Sequence, residues 1–170
     1  MNIIIKKFTQ SLIILCLVAT IFYQYHTEAK SFVPVSITAS IATESPIKRK
    51  LNHIGVSSNP KLINAIGFAS EQNNISVDLI IALTWTESQF KQNAVSSAGY
   101  KGLMQIPHAV YQSDANILIG TRILREKIDY AKGDMIKALM LYKGYPLDSD
   151  RGRDQVKKVF ALYHKLKTVV

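Results

Sequence analysis

Residues 77–88 read Val-Asp-Leu-Ile-Ile-Ala-Leu-Thr-Trp-Thr-Glu-Ser, a stretch that leaves a helix almost no polar face. Ser76 precedes it, and serine is a favoured N-cap because its hydroxyl accepts a hydrogen bond from a free backbone N–H. A helix that is apolar all round is normally buried. The stretch therefore predicts a central helix against which the rest of a domain packs.

Weaker helical patterns lie on both sides of this stretch. Asn59, followed by proline, is a favoured helix start, and an apolar face follows it. Residues 92–101 are expected to form turns or a short hairpin. Downstream, three further helices are expected, over 116–131, 135–143 and 151–167. The predicted fold class is therefore mainly α, with a small β-hairpin or turn element.

The N-terminus has the features of an export signal. Lys6 and Lys7 precede an apolar core at 11–23, whose length of about 13 residues suits a signal peptide and is short for a membrane span. Cleavage is expected after Ala29, and an uncleaved anchor over residues 8–25 is the alternative. The protein is therefore expected to be exported to the periplasm or cell envelope, with membrane contact only through this segment.

The expected layout is a signal peptide or anchor at 1–29, a linker at 30–58 without a sustained apolar period, and a folded domain at 59–167. The lone cysteine, Cys16, lies in the N-terminal segment, which excludes a disulfide framework and a cysteine-based metal site in the domain. The formal net charge of +9 favours an acidic partner, but no zinc-finger, helix-turn-helix or RNP-type pattern points to nucleic acid. The histidines are too widely spaced to predict a metal site.

Glu87 closes the apolar stretch, directly after Trp85 and Thr86. An apolar setting disfavours the ionised form of a carboxyl group, and the negative end of a helix dipole acts in the same direction. A carboxyl that stays protonated can donate a proton to a leaving oxygen, which is what glycosidic cleavage needs. By position alone, however, a solvated glutamate at a helix end is the commoner interpretation, so the choice depends on the residues that follow.

Those residues form an ordered series: Glu87-Ser88-Gln89-Phe90, Ala94-Val95-Ser96, Gly99 and Gly102-Leu103-Met104-Gln105-Ile106. The series resembles lytic transglycosylases of the soluble-lytic-transglycosylase (SLT) type, in which a Glu-Ser-x-Phe, an Ala-x-Ser, a glycine and a Gly-Leu-Met-Gln follow at the same spacing. The resemblance covers roughly residues 59–165. It implies the α+β, lysozyme-like fold that this family shares with goose-type lysozyme, with the hairpin or turn element beside an active-site groove.

The resemblance also implies roles for individual residues. Glu87 matches the family's single catalytic acid, and seven residues match positions that hold it or line the glycan groove: Ser88, Ser96, Gly102, Leu103, Met104, Gln105 and Tyr142. Two departures stand out. Lys143 replaces an asparagine that usually follows the tyrosine, and it could point inward to Glu87 or outward to the groove. The stretch between Gln105 and Asn116 is short by several residues.

The implied activity is cleavage of the β-1,4 bond between N-acetylmuramic acid and N-acetylglucosamine in peptidoglycan, with a 1,6-anhydro-muramoyl product and without a metal or organic cofactor. Glu87 would act first as acid and then as base, since no second carboxylate has a motif reason to face it. Two alternatives stay open: a muramidase that hydrolyses the same bond with water, and a non-catalytic cell-wall binding or assembly module. The expected partners are peptidoglycan strands and a secretion, pilus or phage machine.

Overall fold

Six α-helices make up the part of the chain that the computed structural model describes, residues 44–107 and 113–170. In chain order they are α1 (Pro46–His53), α2 (Pro60–Asn73), α3 (Val77–Ser88), α4 (Ser113–Tyr130), α5 (Met135–Tyr142) and α6 (Asp150–Lys167). The predicted signal peptide or anchor and the first half of the predicted linker lie outside the described residues. None of the described helices is long and apolar enough to span a membrane.

Side-chain caps fix the starts of several helices. Asn59 Oδ1 accepts a hydrogen bond from the Leu62 N–H at 2.9 Å before α2, and Asp134 Oδ1 accepts one from the Lys137 N–H at 3.0 Å before α5. Ser76 caps α3 in the same way. Each cap satisfies an N–H group that has no partner within its helix. These three helices therefore begin where the sequence predicts.

Helix α3 is the central helix, as its sequence predicts. Its residues from Leu79 to Thr84 are all buried, and Ile80, Ile81 and Leu83 have no exposed surface. Helices α1, α2 and α6 pack against α3, while α4 packs against α2 and α5. Apolar burial on every face of α3 contributes strongly to stability, because each fully buried Leu or Ile side chain contributes about 2 kcal/mol.

Helix α1 corrects the predicted layout, since it lies inside the interval 30–58 for which the sequence predicts a linker. Leu51 is fully buried in the core, and Lys50 forms an ion pair with Asp78 in the first turn of α3. One buried leucine in a short basic stretch gives no periodic signal long enough to predict a helix. The folded unit therefore begins before residue 59.

The segment between α3 and α4 consists of turns in its described part, residues 89–107, which we call the turn segment. Two isolated antiparallel bridges, Val95 with Lys101 and Lys101 with Ile106, hold it together, and no strand forms among the described residues. The predicted turn element therefore occurs here, whereas a hairpin of regular strands does not. Helix α4 begins at Ser113, earlier than the predicted residue 116.

Candidate active site

A cleft of about 860 Å³ opens beside the C-terminal end of α3, and Glu87 lies in its wall. One side is formed by the end of α3 and the turn segment, and the other by one face of α6. The α6 residues recur every three or four positions, as neighbours on one side of a helix do: Gln155, Lys158, Ala161, Leu162 and Lys165. The side chain of Glu87 is 13% exposed, so the carboxyl borders the cleft without standing free in it.

Lys143 reaches Glu87 from the residue that follows α5. Its Nζ lies 2.6 Å from Glu87 Oε1, and the lysine side chain is only 6% exposed. Of the two orientations that the sequence leaves open, the structure therefore has the inward one. The Lys143 ammonium therefore contacts the carboxyl that the sequence predicts as the catalytic acid.

Ser88 joins the end of α3 to the turn segment. Its buried Oγ donates a hydrogen bond to the Leu103 carbonyl oxygen at 2.7 Å, and the Thr84 carbonyl oxygen lies 3.3 Å away, one helical turn earlier. Because Ser88 adjoins Glu87, this hydrogen bond fixes the position of the helix end that carries the carboxyl.

The side chain of Asn116, on α4, is hydrogen-bonded to the backbone of the turn segment. Its Oδ1 accepts a hydrogen bond from the Met104 N–H at 2.7 Å, and its Nδ2 donates to the Lys101 carbonyl oxygen at 3.1 Å. Gly102 lies between these contacts with a φ of +80°, and a Cβ built there would overlap the Asn116 amide. Glycine is required here because of both the positive φ and the close approach.

The sequence predicts no site role for Asn116, although the side chain is fully buried and supports the turn segment. The signal that could have singled it out is a polar residue on the buried face of an amphipathic helix. Buried polar side chains are normally hydrogen-bonded, so such a residue predicts a specific partner. Here the partners are backbone groups of the turn segment that follows Glu87.

The eight predicted site residues separate into two groups in the structure. Four of them line the cleft: Glu87, Ser88, Ser96 and Gln105. The other four do not line it: Gly102, Leu103, Met104 and Tyr142. Leu103 and Met104, which match a groove-lining segment of the family, are 3% and 0% exposed and belong to the hydrophobic core. They therefore support the cleft wall from inside.

Gln105 is held across the turn segment by its own side chain. Its Nε2 donates hydrogen bonds to the carbonyl oxygens of Ala94 and Gly102, at 3.1 and 2.8 Å. The residue also has a positive φ of +49°, which non-glycine residues adopt at some cost. The side-chain hydrogen bonds stabilise this backbone conformation next to Glu87 in the cleft wall.

Tyr142, the last residue of α5, supports the same region. Its hydroxyl donates a hydrogen bond to the Met104 carbonyl oxygen at 2.8 Å. Burial raises the pKa of the Tyr142 phenol well above its ordinary value, and the negative charge of Glu87 acts in the same direction. The phenol is therefore neutral near physiological pH and serves as a hydrogen-bond donor.

Glu87 is the sole acid among the described residues that line the cleft, and three lysines accompany it: Lys91, Lys158 and Lys165. Asp114 lies outside this lining, in the first turn of α4, where its Oδ1 is 3.4 Å from Lys61 Nζ. Within residues 44–107 and 113–170, no cluster of three or more His, Cys, Asp or Glu residues could hold a metal ion. The cleft thus combines one carboxyl with a cationic lining.

The family model of the transglycosylase SLT domain matches residues 64–159, which is more than half of the chain. The chain belongs to this family. The SLT resemblance inferred from the series at 87–106 is therefore confirmed, and the match extends from α2 into α6.

Two known proteins are similar to this SLT chain. A protein named transglycosylase from Enterobacteria phage PRD1 is 35% identical over 88 residues, which cover 46% of this chain and 33% of that protein. An inactive mutant of the lytic transglycosylase Slt from Pseudomonas aeruginosa matches with a TM-score of 0.54 and 20% identity, over 61% of this chain and 23% of that one. The chain thus spans about a third and about a quarter of their lengths. The structural likeness supports the mainly α, lysozyme-like fold.

Proposed function

We propose that this SLT protein is a peptidoglycan lytic transglycosylase and that Glu87 is its catalytic acid and base. The observation that carries the proposal is the single carboxyl in the cleft wall. Glu87 is largely buried at the end of the central helix, and no other acid among the described residues lines the cleft. Glycosidases that use water commonly need two carboxylates. A transglycosylase that uses a hydroxyl of its own substrate can operate with one.

The proposed reaction begins with protonated Glu87, which donates its proton to the oxygen between C1 of N-acetylmuramic acid and N-acetylglucosamine as the C1–O bond breaks. The substrate's own acetamido group relieves the positive charge that develops at C1. Glu87, now a carboxylate, takes the proton from the muramoyl C6 hydroxyl, whose oxygen bonds to C1. The product carries a 1,6-anhydro ring, no water is consumed, and Glu87 ends protonated as it began.

The surroundings of Glu87 support this chemistry. Ser88 and Tyr142 bind the ends of α3 and α5 to the turn segment, so that the carboxyl has a fixed place. Fixed placement matters because a misplacement of about 1 Å can reduce the rate by about a hundredfold. Ser96 and Gln105 offer polar groups to sugar hydroxyls, and the lysines of the cleft offer cations to the carboxylates of peptidoglycan.

The proposed substrate agrees with the predicted export. Peptidoglycan lies outside the cytoplasm, where a protein with a signal peptide or anchor at residues 1–29 would be delivered. The catalytic unit proposed here extends from about residue 44 to residue 167. A secretion, pilus or phage machine is the proposed partner class, since such machines need the wall opened locally.

Digestion of purified peptidoglycan, followed by mass spectrometry of the fragments, tests the reaction. The expected fragments carry anhydro-muramoyl ends, which are one water lighter than the reducing ends that a muramidase releases. If all fragments carry reducing ends, the protein is a hydrolase and the proposed transglycosylase reaction is wrong. No fragments at all would favour a non-catalytic binding module.

Glu87→Gln tests the assignment of the acid, because it removes the proton donor while it keeps the size of the side chain. Fragment release is expected to slow by at least about a hundredfold, the usual contribution of a general acid. Glu71→Gln, at an exposed position of α2, is the matched control and should keep the wild-type rate. A fully active Glu87→Gln protein would show that Glu87 is not the catalytic acid.

A further inference from the structure

We propose that Lys143 is a positioning residue that holds Glu87 as a carboxylate in the free enzyme, and thereby restricts the acid step to lower pH than a neutral residue at the same place would. The inference rests on the proposed function, in which Glu87 must carry a proton before it can donate one. Lys143 acts through Glu87, and no contact between Lys143 and the glycan is part of the proposal.

The ammonium of Lys143 is placed by a rigid part of the fold. The Lys143 N–H donates to the Leu139 carbonyl oxygen at 3.0 Å, and the preceding residue, Tyr142, is bound to the turn segment through its hydroxyl. The side chain is buried and its Nζ lies 2.6 Å from Glu87 Oε1. This is therefore a fixed contact between a buried lysine side chain and a largely buried carboxyl, unlike the interchangeable ion pairs of a protein surface.

The other charged or titratable groups around the cleft do not replace this contact. Lys91, from the turn segment, and Lys158 and Lys165, from α6, line the cleft as exposed residues. Tyr142, from α5, stays neutral because burial, together with the charge of Glu87, raises its pKa. Exposed ammonium groups are screened by water and salt, whereas Lys143 is buried and in contact. Lys143 is therefore the lysine in direct contact with the Glu87 carboxyl.

The cation has opposite effects before and after substrate binding. In the free enzyme it disfavours protonation of Glu87, so that fewer molecules are ready to act at a given pH. Once glycan is bound, it stabilises the carboxylate that remains after proton donation, so the proton leaves more easily. Ring closure then returns a proton to Glu87, and an enzyme that stays on the strand needs no new one. The disfavoured protonation of Glu87 therefore lowers the activity of the free enzyme only. The pH dependence of kcat/KM reports the protonation state of the free enzyme, so it is the quantity to measure.

The test is the pH dependence of kcat/KM on soluble glycan strands, for the wild-type protein and for Lys143→Asn, Lys143→Gln and Lys143→Arg. Activity falls on the alkaline side, where Glu87 loses its proton, and the two neutral variants should lose it at higher pH. About one pH unit above the wild-type midpoint, their activity relative to wild type should be at least about fivefold higher than on the acidic plateau. Lys143→Arg keeps the cation and should follow the wild-type curve.

A second measurement does not depend on turnover. Carbon NMR of labelled glutamate carboxyls follows the charge of Glu87, and the resonance that is missing from Glu87→Gln identifies it. The chain has few glutamates to distinguish: Glu28, Glu44, Glu71, Glu87 and Glu126. In the wild-type protein Glu87 should already be ionised at a pH where the Lys143→Gln protein still carries the proton.

The outcomes separate this inference from the proposed function. If the relative activity of the neutral variants is the same at every pH, or if the NMR titration is unchanged, Lys143 serves only the structure and the inference fails. Glu87→Gln in the Lys143→Gln background supplies the other arm. Activity that survives in this double variant would overturn the role of Glu87 itself, whereas an inactive double variant with a flat ratio overturns the inference alone.

Discussion

Helix α3 carries an ion pair at each end, and the two pairs occupy opposite electrostatic environments. In the first turn, Asp78 Oδ1 lies 2.8 Å from Lys50 Nζ. In the last turn, Glu87 Oε1 lies 2.6 Å from Lys143 Nζ. The positive end of the helix dipole favours the Asp78 carboxylate, whereas the negative end disfavours the Glu87 carboxylate. Lys143 therefore supports a charge that the helix itself opposes.

The two lysines also differ in their other contacts. Lys50 Nζ donates to the backbone carbonyl oxygens of Leu166 and Val169, at 2.6 and 3.0 Å, so it joins α1 and α3 to the end of α6. Lys143 instead points to a carboxyl that borders the cleft. A charge held against local preference beside a cleft is typical of functional sites. Pairing and burial alone do not identify a site; the position on the helix and the access to a cleft distinguish the two ends.

Lys50→Met tests the ion pair between Lys50 and Asp78 at the start of α3. It is expected to have the largest effect on stability. It leaves Asp78 without its cation and removes the donor from two carbonyl groups, so the free energy of unfolding should fall by about 4 kcal/mol. Lys48→Met, on the same helix, breaks only an exposed ion pair with Glu44. It should change the free energy of unfolding by less than about 0.5 kcal/mol. Urea unfolding measures both, and equal losses would contradict a structural role specific to Lys50.

Gly102→Ala tests how the Glu87 end is held in place. Gly102 and Gly99 have φ values of +80° and +82°, so an alanine at either costs about 1 kcal/mol for the left-handed backbone. At Gly102 the new Cβ would also overlap the Asn116 amide, whereas at Gly99 it meets nothing within 4 Å. Gly102→Ala should therefore lower the free energy of unfolding by about 2 kcal/mol more than Gly99→Ala. Equal losses in thermal or urea unfolding would mean that Asn116 moves aside freely.

The features that the sequence predicts well have local causes. Helix α3 is apolar on nearly every face, and each of the caps at Asn59, Ser76 and Asp134 involves residues three positions apart. The SLT series at 87–106 is similarly local, since all its parts belong to one helix end and the turn segment that follows. Such features can be predicted without knowledge of the rest of the fold.

The features that the sequence misses depend on residues far apart in the chain. Glu87 and Lys143 are 56 positions apart, so no periodicity decides whether the lysine points inward. Helix α1 is short, and its one buried residue, Leu51, packs against helices that follow later in the chain. Leu103 and Met104 match a groove-lining segment, yet irregular backbone gives no period that reveals which side chains face the core.

Tyr142→Phe tests the hydrogen bond that supports the turn segment near Glu87, and it has the smallest expected effect on stability. Near neutral pH it removes the hydrogen bond from the Tyr142 hydroxyl to the Met104 carbonyl, so the free energy of unfolding should fall by about 1 kcal/mol. This difference should shrink above about pH 10, because burial and the charge of Glu87 raise the pKa of Tyr142 in the folded protein above its ordinary value.

In that alkaline range the tyrosine of the unfolded chain loses its proton while Tyr142 of the folded protein keeps it. The unfolded state then binds fewer protons than the folded state, so the stability of the wild-type protein falls as the pH rises. Phenylalanine has no proton to lose, and the two stability curves should converge. Tyr130→Phe, at a residue that is 71% exposed, is the matched control and should keep the wild-type slope. Parallel curves for Tyr142→Phe would mean that its phenol titrates alike in both states, and that neither burial nor Glu87 acts on it.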